Sequence, residues 1–433
     1  MSPRAVWAGR GLAFAGILLI AFNLRTAVAA LSPILDYVGA DLAPSAFVLA
    51  LIGAAPPVAF AAGALLAPLL ARVLGLEWAL LGAVGAMVLG HLGRSLAPDQ
   101  VTLTVATGVS LLGIGLGNVL LPPAVRRYFP DRVGLVTSIY ATLLSVSTAI
   151  PPLIAVPIAD AVGWRVSLAV WCVVAALAAP PWIAVLMRRR DAPLPPVTRE
   201  EVITGPIEIG VIEVEDSQAV ATEAAVEGRA GSAAAERIGP HLMRSPTAWA
   251  IAAIFGVSSL SAYASFAWLP KLLVEEAGVA PAGAGALLSL YAIMGFPAGL
   301  LVPVIAARFA RGAVWLSLAG AVFFVFGYVG LLLAPAAAPA LWVASAGLGP
   351  LLFPLALVLI NLRSRRAATT IALSGFVQTF GYLVGATGPF VVGLLHDVTG
   401  GWTLPLLFQL AVVILIFPAA AILGRRHSVD DEL

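Results

Sequence analysis

Charged residues are scarce in this chain, and their scarcity excludes most classes of soluble protein. Charged side chains make up 11% of the 433 residues, whereas a soluble domain has about 25%. With 61% hydrophobic residues and a mean hydropathy of +1.02, the composition indicates a membrane protein with several spans. The basic residues are dispersed among connections and form no stripe with interleaved aromatics, which excludes a nucleic-acid-binding surface.

Residues that carry covalent or metal chemistry are scarce as well. Cys172 is the single cysteine, so the chain can form neither an internal disulfide nor a thiolate metal site. The four histidines belong to no H-E-x-x-H pair, and no G-x-S-x-G motif occurs. We therefore expect no enzymatic activity, no cofactor and no bound metal.

Long apolar runs are what the chain has instead. A transmembrane helix needs about 20 mostly apolar residues, and twelve runs meet that length. The sequence predicts an all-α membrane protein with twelve transmembrane helices, some kinked by prolines such as Pro122 and Pro354. The predicted spans lie near 11–35, 46–70, 76–97, 101–125, 134–159, 164–187, 247–269, 281–306, 312–334, 339–361, 367–395 and 403–424.

The distribution of lysine and arginine predicts the orientation. Thirteen arginines fall in the termini and the even-numbered connections, against three basic residues, Arg94, Arg165 and Lys271, in the odd-numbered ones. By the positive-inside rule, both termini of this multi-pass protein are expected on the cytoplasmic side of the cytoplasmic membrane. The connection over 188–245 is acidic and alanine-rich, and we expect a largely disordered cytoplasmic linker there.

An internal repeat divides the chain into an N-terminal six-helix half, residues 1–187, and a C-terminal six-helix half, residues 246–433. Two parallel six-helix halves, with a substrate site near the middle of the membrane between them, are the arrangement of major facilitator transporters. The positions that recur are Gly115, Gly117 and Pro122 as Gly347, Gly349 and Pro354 (offset 232), Gly63 and Arg72 as Gly299 and Arg308 (offset 236), and Pro33 and Pro152 as Pro270 and Pro389 (offset 237).

Arg25 places a positive charge within the first apolar run, and the interior of a membrane makes such a charge costly. An arginine at the centre of a membrane helix costs roughly 2.5–3.5 kcal/mol even on permissive scales, so it is retained where it meets a partner, a cavity or a ligand. None of the 22 acidic residues lies in the middle of a predicted span. The Arg25 guanidinium is therefore expected either to contact an anionic or polar solute or to brace helices through their carbonyl groups.

Other polar side chains share helix faces with spacings that predict further contacts to a solute. Gln378 and Tyr382 are four residues apart on the eleventh span. The remaining candidates are Asn118 in the fourth span, Tyr140 in the fifth, and Tyr263 and Trp268 beside the stripe of Ser258, Ser261 and Ser265 in the seventh. For each single residue, hydrogen bonding between helices is an equally good interpretation.

A set of short motifs is distributed over nearly all twelve spans. They are Asn23-Leu24-Arg25, Gly117 to Pro122 followed by Arg126 to Pro130, Trp268-Leu269-Pro270, Gly381-Tyr382, Gly388-Pro389, His396-Asp397 and Gly401-Trp402. Together these motifs resemble the cyanate and nitroimidazole branch of the major facilitator superfamily. The resemblance adds Asn23 to the substrate-binding candidates and implies a permease for small solutes that works by rocking its halves.

Three departures from the family pattern bear on gating and direction. The signature between the second and third spans is reduced to Gly63, Arg72 and Gly75, with Ala71 where an aspartate is expected, and Arg126 stands where the branch tends to have lysine. We assign these residues, with Pro122 and Pro354, a gating or structural role. The glycine-proline signature typical of exporters is missing from the fifth span, which favours a permease over a drug exporter.

The resulting prediction is a monomeric transporter of a small anionic or polar solute, such as a cyanate-like anion, with the lipid bilayer as its surroundings. The alternative within transport is an exporter of small organic compounds. The alternative in another class is a membrane receptor or scaffold that signals through the linker. The repeat favours transport, because a scaffold does not require two matched halves.

Overall fold

A computed structural model describes residues 10–130, 132–189, 238, 241–425 and 427–432. Within these ranges eleven helices are long and apolar enough to cross a membrane, and a bent pair of helices makes a twelfth. The predicted fold class, an all-α protein with twelve spans, is confirmed. The spans are α1 (Gly11–Leu42), α2 (Ala46–Leu74), α3 (Leu76–Ser95), α4 (Gln100–Tyr128), α5 (Leu135–Val162), α6 (Trp164–Arg188), α7 (Pro246–Ala277), α8 (Pro281–Arg308), α9 (Gly312–Leu333), α10 (Pro339–Leu362), α11 (Ala368–Thr399) and α12 (Thr403–Leu423).

The chain forms two compact units, Met1–Gly210 and Val211–Leu433, which we call the N unit and the C unit. Each unit holds six of the spans. In the N unit, Ile34, Leu168 and Trp171 belong to one buried apolar cluster that joins α1 to α6. Most of the linker predicted over 188–245 lies outside the described residues.

Proline alone does not decide where a span is interrupted. Helix α4 continues through Pro122 to Tyr128 without a break. In α10, by contrast, a 3-10 turn over Gly349–Leu351 precedes Pro354. The sharpest bend is in α2, where Phe47–Gly63 and Leu65–Leu74 meet at 44°. Neighbouring helices that satisfy freed backbone groups permit such irregular segments inside a membrane protein.

Two close helix crossings underlie the repeat. A Cβ atom on Gly115 of α4 would lie 2.5 Å from the Ala59 carbonyl oxygen of α2, so only glycine permits this approach. In the C unit, a Cβ on Gly347 of α10 would lie 2.7 Å from the Tyr291 carbonyl oxygen of α8. Because 347 − 115 and 291 − 59 both equal 232, the repeat preserves the same contact between the second and fourth helices of each unit.

The structure corrects two assignments made from the sequence. Arg94, Arg165 and Lys271 do not lie in connections, since each belongs to an end of a helix, α3, α6 or α7. Pro270 lies inside α7 rather than after it, whereas its repeat partner Pro33 lies in a 3-10 turn of α1. For Pro270 and Lys271 the reason is that α7 continues to Ala277, beyond the apolar run predicted to end at 269.

Candidate functional site

Arg25 lies at a break in α1. The helix stops at Asn23 and resumes at Thr26, and Arg25 between them has φ −126° and ψ −7°. Its backbone N–H, which the break leaves outside the helical ladder, donates to the Ser147 hydroxyl of α5 at 3.2 Å. Its guanidinium carbon is 5.2 Å from the centre of the Phe60 ring of α2. Three helices of the N unit thus converge at this residue.

The Arg25 guanidinium is half-buried, and its donors are not used by any described residue. A cation–π contact such as that with Phe60 contributes about 0.5–2 kcal/mol, depending on desolvation. That contact orients the guanidinium but leaves its five N–H groups available. An arrangement of this kind can bind an anion or a group with two acceptor atoms.

The adjacent arginines Arg126 and Arg127, at the end of α4, have different surroundings. Arg127 Nε lies 3.5 Å from Glu77 Oε1, and the Tyr128 hydroxyl donates to the same carboxylate at 2.6 Å. Arg126 is half-buried and lies close to Tyr140 of α5, and within the described chain no carboxylate contacts it. The Arg127–Glu77 pair therefore joins α4 to α3. Arg126, like Arg25, carries a positive charge that no described carboxylate compensates.

Asn23 lies close to Arg25 in sequence but serves the helix packing. Its amide nitrogen donates to the Leu19 carbonyl at 2.8 Å and to the Val174 carbonyl of α6 at 3.2 Å, and the side chain is fully buried. These bonds hold α1 to α6. The structure therefore favours the packing interpretation for Asn23, and a solute contact there is unsupported by its geometry.

Among the gating candidates, Gly63 of α2 meets the backbone of Gly115, where a Cβ atom would lie 2.4 Å from the Gly115 carbonyl carbon. Arg72 is exposed in the last turn of the same helix. Asn118 of α4 is half-buried, one turn before Pro122. For Asn118, a contact to solute stays a prediction.

In the C unit, α7 and α11 carry the predicted residues. The Gln378 amide nitrogen donates to the Ser374 hydroxyl at 2.7 Å, and the Tyr382 ring packs edge-on against Phe255 at 5.1 Å. The Tyr263 ring lies near Gly385. Both Gln378 and Tyr382 are half-buried on one continuous helix, as the four-residue spacing predicts.

Trp268 is a brace between helices. It is buried, and its indole N–H donates to the Pro389 carbonyl of α11 at 2.8 Å. At the same end of the C unit, Glu275 accepts hydrogen bonds from the Trp402 indole at 2.6 Å and from His396 at 3.1 Å. The shared motifs around Trp268, His396 and Trp402 thus fasten α7 to α11 and α12.

Two groups of buried polar residues include members, Arg94 and Tyr328, that the sequence reasoning missed. In the N unit, His91 and Arg94 of α3 are fully buried, and the Thr26 hydroxyl is 3.5 Å from His91 Nε2. In the C unit, Ser261 of α7 and Tyr328 of α9 are buried and face each other. The spacing of three residues between His91 and Arg94 is a sequence signal for a shared helix face, but not for its burial.

Comparisons with known proteins agree with this architecture. The sequence pattern of the Major Facilitator Superfamily matches residues 17–386. The chain is 31% identical over 423 residues to the 2-nitroimidazole transporter of Escherichia coli (strain K12), covering 97% of this chain and 96% of that protein. It is 30% identical over 426 residues to the uncharacterized transporter YycB of Bacillus subtilis (strain 168), covering 96% and 94%.

A more distant relative is the cyanate transport protein CynX of Escherichia coli (strain K12), 24% identical over 404 residues, which cover 92% of this chain and 93% of that protein. Among solved structures, the nucleoside transporter NupG superposes with a TM-score of 0.69 at 10% identity, covering 95% of this chain and 99% of that one. At that identity the likeness concerns the fold alone.

Proposed function

Because this chain belongs to the major facilitator superfamily, in the branch of the nitroimidazole and cyanate transporters, we propose that it carries a small anionic or polar solute, such as a cyanate-like anion, by alternating access. The chain is a multi-pass membrane transporter and not an enzyme. The observation that carries the choice of solute is the Arg25 guanidinium, half-buried and without a carboxylate partner among the described residues.

The chemistry of the solutes named for the relatives fits such a guanidinium. A nitro group presents two oxygen acceptors in one plane, and cyanate presents a full negative charge with an acceptor at each end. A guanidinium fork can donate two parallel hydrogen bonds to a planar acceptor pair, which adds both energy and orientation. The Phe60 ring 5.2 Å from the guanidinium carbon restricts the fork's rotation. Arg126 and Tyr140 supply a second positive charge and a hydroxyl within the same unit.

Substitution of Arg25 tests the proposal. Lysine keeps the charge but loses the fork, so Arg25→Lys is expected to weaken solute binding by about 1–3 kcal/mol, and Arg25→Ala is expected to abolish transport. Affinity for cyanate and for 2-nitroimidazole is measured per folded molecule on purified protein, and uptake is measured in proteoliposomes. Arg311→Ala, which removes an exposed arginine between α8 and α9, is the matched control. Unchanged affinity in Arg25→Ala would exclude this residue from the site.

We propose further that both termini lie in the cytoplasm, on the basis of the bias of arginine toward the termini and even-numbered connections. Reporter fusions after Pro98 and after Glu276 are expected to report an external location. A cytoplasmic signal at either position would overturn the orientation without affecting the assignment of Arg25.

A further inference from the structure

The break in α1 at Arg25 has no proline or glycine to cause it. Sharp interruptions of a helix usually arise at proline, at glycine or serine pairs, or where a side chain enters the helical hydrogen-bond ladder. Residues 17–32 contain neither proline nor glycine. The remaining cause is a polar side chain that takes over a backbone group of α1.

Ser147 of α5 is such a side chain. In a continuous helix the Arg25 N–H would donate to the Ala21 carbonyl, four residues earlier. That carbonyl accepts from the Leu24 N–H instead, at 3.2 Å, and the Arg25 N–H donates to the Ser147 hydroxyl. Ser147 is fully buried, so no exposed position on α5 explains a hydroxyl there. The Ser147 hydroxyl thus replaces one bond of the α1 ladder.

Thr26 closes the other side of the break. Its buried hydroxyl donates to the Asn23 carbonyl at 3.0 Å. A threonine hydroxyl can bind a carbonyl of the preceding turn in an uninterrupted helix as well, so this bond does not require the break. Of the two hydroxyl contacts, the one from Ser147 comes from another helix and would be lost if α1 became continuous.

The C unit contains the corresponding pair of helices without the break. At the repeat offset of 237, Arg25 corresponds to Ala262 of α7, and Ser147 corresponds to Val384 of α11. A valine side chain offers no acceptor for a backbone N–H. Helix α7 runs from Pro246 to Ala277 without interruption. The break in the first helix of a unit therefore accompanies the serine.

We propose that Ser147 is a positioning residue for the solute contact at Arg25, a role that rests on the function proposed for that arginine. By accepting from the Arg25 N–H, the Ser147 hydroxyl holds the Arg25 backbone at φ −126°. A regular helix has φ near about −63°, so the Cα–Cβ bond of Arg25 is turned by about 60° relative to the preceding helix. The turned side chain reaches Phe60 of α2, with its guanidinium carbon 5.2 Å from the ring centre.

Solute affinity per folded molecule separates positioning from a purely structural role. Ser147→Ala is expected to weaken the binding of 2-nitroimidazole and of cyanate about tenfold, as for the loss of one hydrogen bond to a charged group. Ser147→Cys, whose sulfur is a weak acceptor, is expected to fall between Ser147→Ala and wild type. Both variants are measured as purified full-length protein, beside the thermal unfolding midpoint.

Thr148→Val is the matched control, because the Thr148 hydroxyl of α5 donates to the Leu144 carbonyl of its own helix at 2.8 Å. Its affinity is expected to equal that of wild type. Wild-type affinity in both Ser147→Ala and Ser147→Cys would overturn the positioning role, even with a lower unfolding midpoint. If Arg25→Ala still lost affinity in that case, the function proposed for Arg25 would stand without Ser147.

A crystal structure of Ser147→Ala tests the inference without any solute. Helix α1 is expected to run through Arg25, with the Arg25 N–H donating to the Ala21 carbonyl and the guanidinium no longer beside Phe60. An unchanged break, with the guanidinium still beside Phe60, would show that Ser147 does not position Arg25, whatever solute the protein carries.

Discussion

The two units share a helix repeat, but the polar side chains that they bury at equivalent positions differ in charge. His91 of α3 and Tyr328 of α9 are separated by 237 residues, the offset that also relates Pro152 to Pro389. Each faces a hydroxyl group of the first helix of its unit, Thr26 in one and Ser261 in the other. The residue that matches Arg94 at this offset is Leu331, which is buried.

This difference indicates what the duplication preserves. A neutral hydroxyl group costs less to bury than a charge, so the C unit can enclose Ser261 and Tyr328 without a counter-charge. A guanidinium needs a counter-charge. The repeat therefore keeps a polar contact between its first and third helices, while only the N unit has acquired a charge there.

The largest effect on stability is expected where α2 crosses α4 in the N unit, a contact that differs in the C unit. A Cβ on Gly63 would lie 2.4 Å from the Gly115 carbonyl carbon, whereas a Cβ on its repeat partner Gly299 meets nothing within 4 Å. Gly63→Ala is expected to destabilise the protein by about 3 kcal/mol or more, because backbone atoms cannot move aside as a side chain can. Gly299→Ala is expected to be neutral or to stabilise by about 0.5–1 kcal/mol. The two variants are compared by the yield of folded protein and by the thermal unfolding midpoint. An equal loss of stability in Gly63→Ala and Gly299→Ala would contradict the difference in packing.

The next effect concerns the C-terminal tail of the C unit, residues 427–432. Glu432 accepts hydrogen bonds from the Ser245 hydroxyl and from the backbone and hydroxyl of Thr247, at the start of α7. Both donors are buried, so removal of the carboxylate leaves them unpaired. Glu432→Ala is expected to destabilise by about 2 kcal/mol, seen as a lower unfolding midpoint. Glu276→Ala, at an exposed carboxylate of α7, is the control, and an equal loss there would remove the special role of the tail.

These features differ in how far the sequence could predict them. The twelve spans follow from the apolar runs, because bilayer thickness fixes their length. Arg25 follows from the cost of a charge inside such a run. The burial of Arg94 could not be predicted, because Arg94 lies near a helix end, where a charge usually reaches solvent, and its burial depends on how α3 packs against α4 and α6.

The tail could not be predicted for a different reason. A short polar segment after the last span is typical of a disordered end, and its partners are far away in sequence. Ser428 and Val429 bind the Arg363 carbonyl, and Arg365 pairs with Asp431. Only the packing of α7, α10 and α11 brings these residues together. Local composition carries no signal for such contacts.

A smaller effect is expected from pH on the same tail. Burial raises the pKa of Asp430, but hydrogen bonds from the Arg365 backbone and the Thr369 and Ser428 hydroxyls lower it further, and the net pKa lies below its usual value. A carboxyl with a depressed folded-state pKa stabilises above its unfolded pKa, about 3.9, and this contribution is lost as pH falls through the folded value. At pH 7 the unfolding midpoint of Asp430→Asn is therefore expected to be lower than that of wild type. This difference is expected to shrink below about pH 4.

The matched control for this pH series is Asp397→Asn, because Asp397 is an exposed carboxylate at the far end of α11. The difference in unfolding midpoint between Asp397→Asn and wild type is expected to stay the same at every pH of the series. A deficit of Asp430→Asn that persisted unchanged to pH 3 would show that the geometry of the tail, and not the ionised carboxylate, supplies the stability.

The smallest effect is expected at Tyr328, and it tests the central difference between the units. Its hydroxyl is buried without a fully formed hydrogen bond, although Ser261 and Ser265 lie close by. Tyr328→Phe removes a polar group that burial disfavours, so stability is expected to change by less than about 1 kcal/mol. The measurement is the thermal unfolding midpoint of Tyr328→Phe beside that of wild type. A loss of more than about 2 kcal/mol would mean that the Tyr328 hydroxyl forms a stabilising hydrogen bond in the C unit.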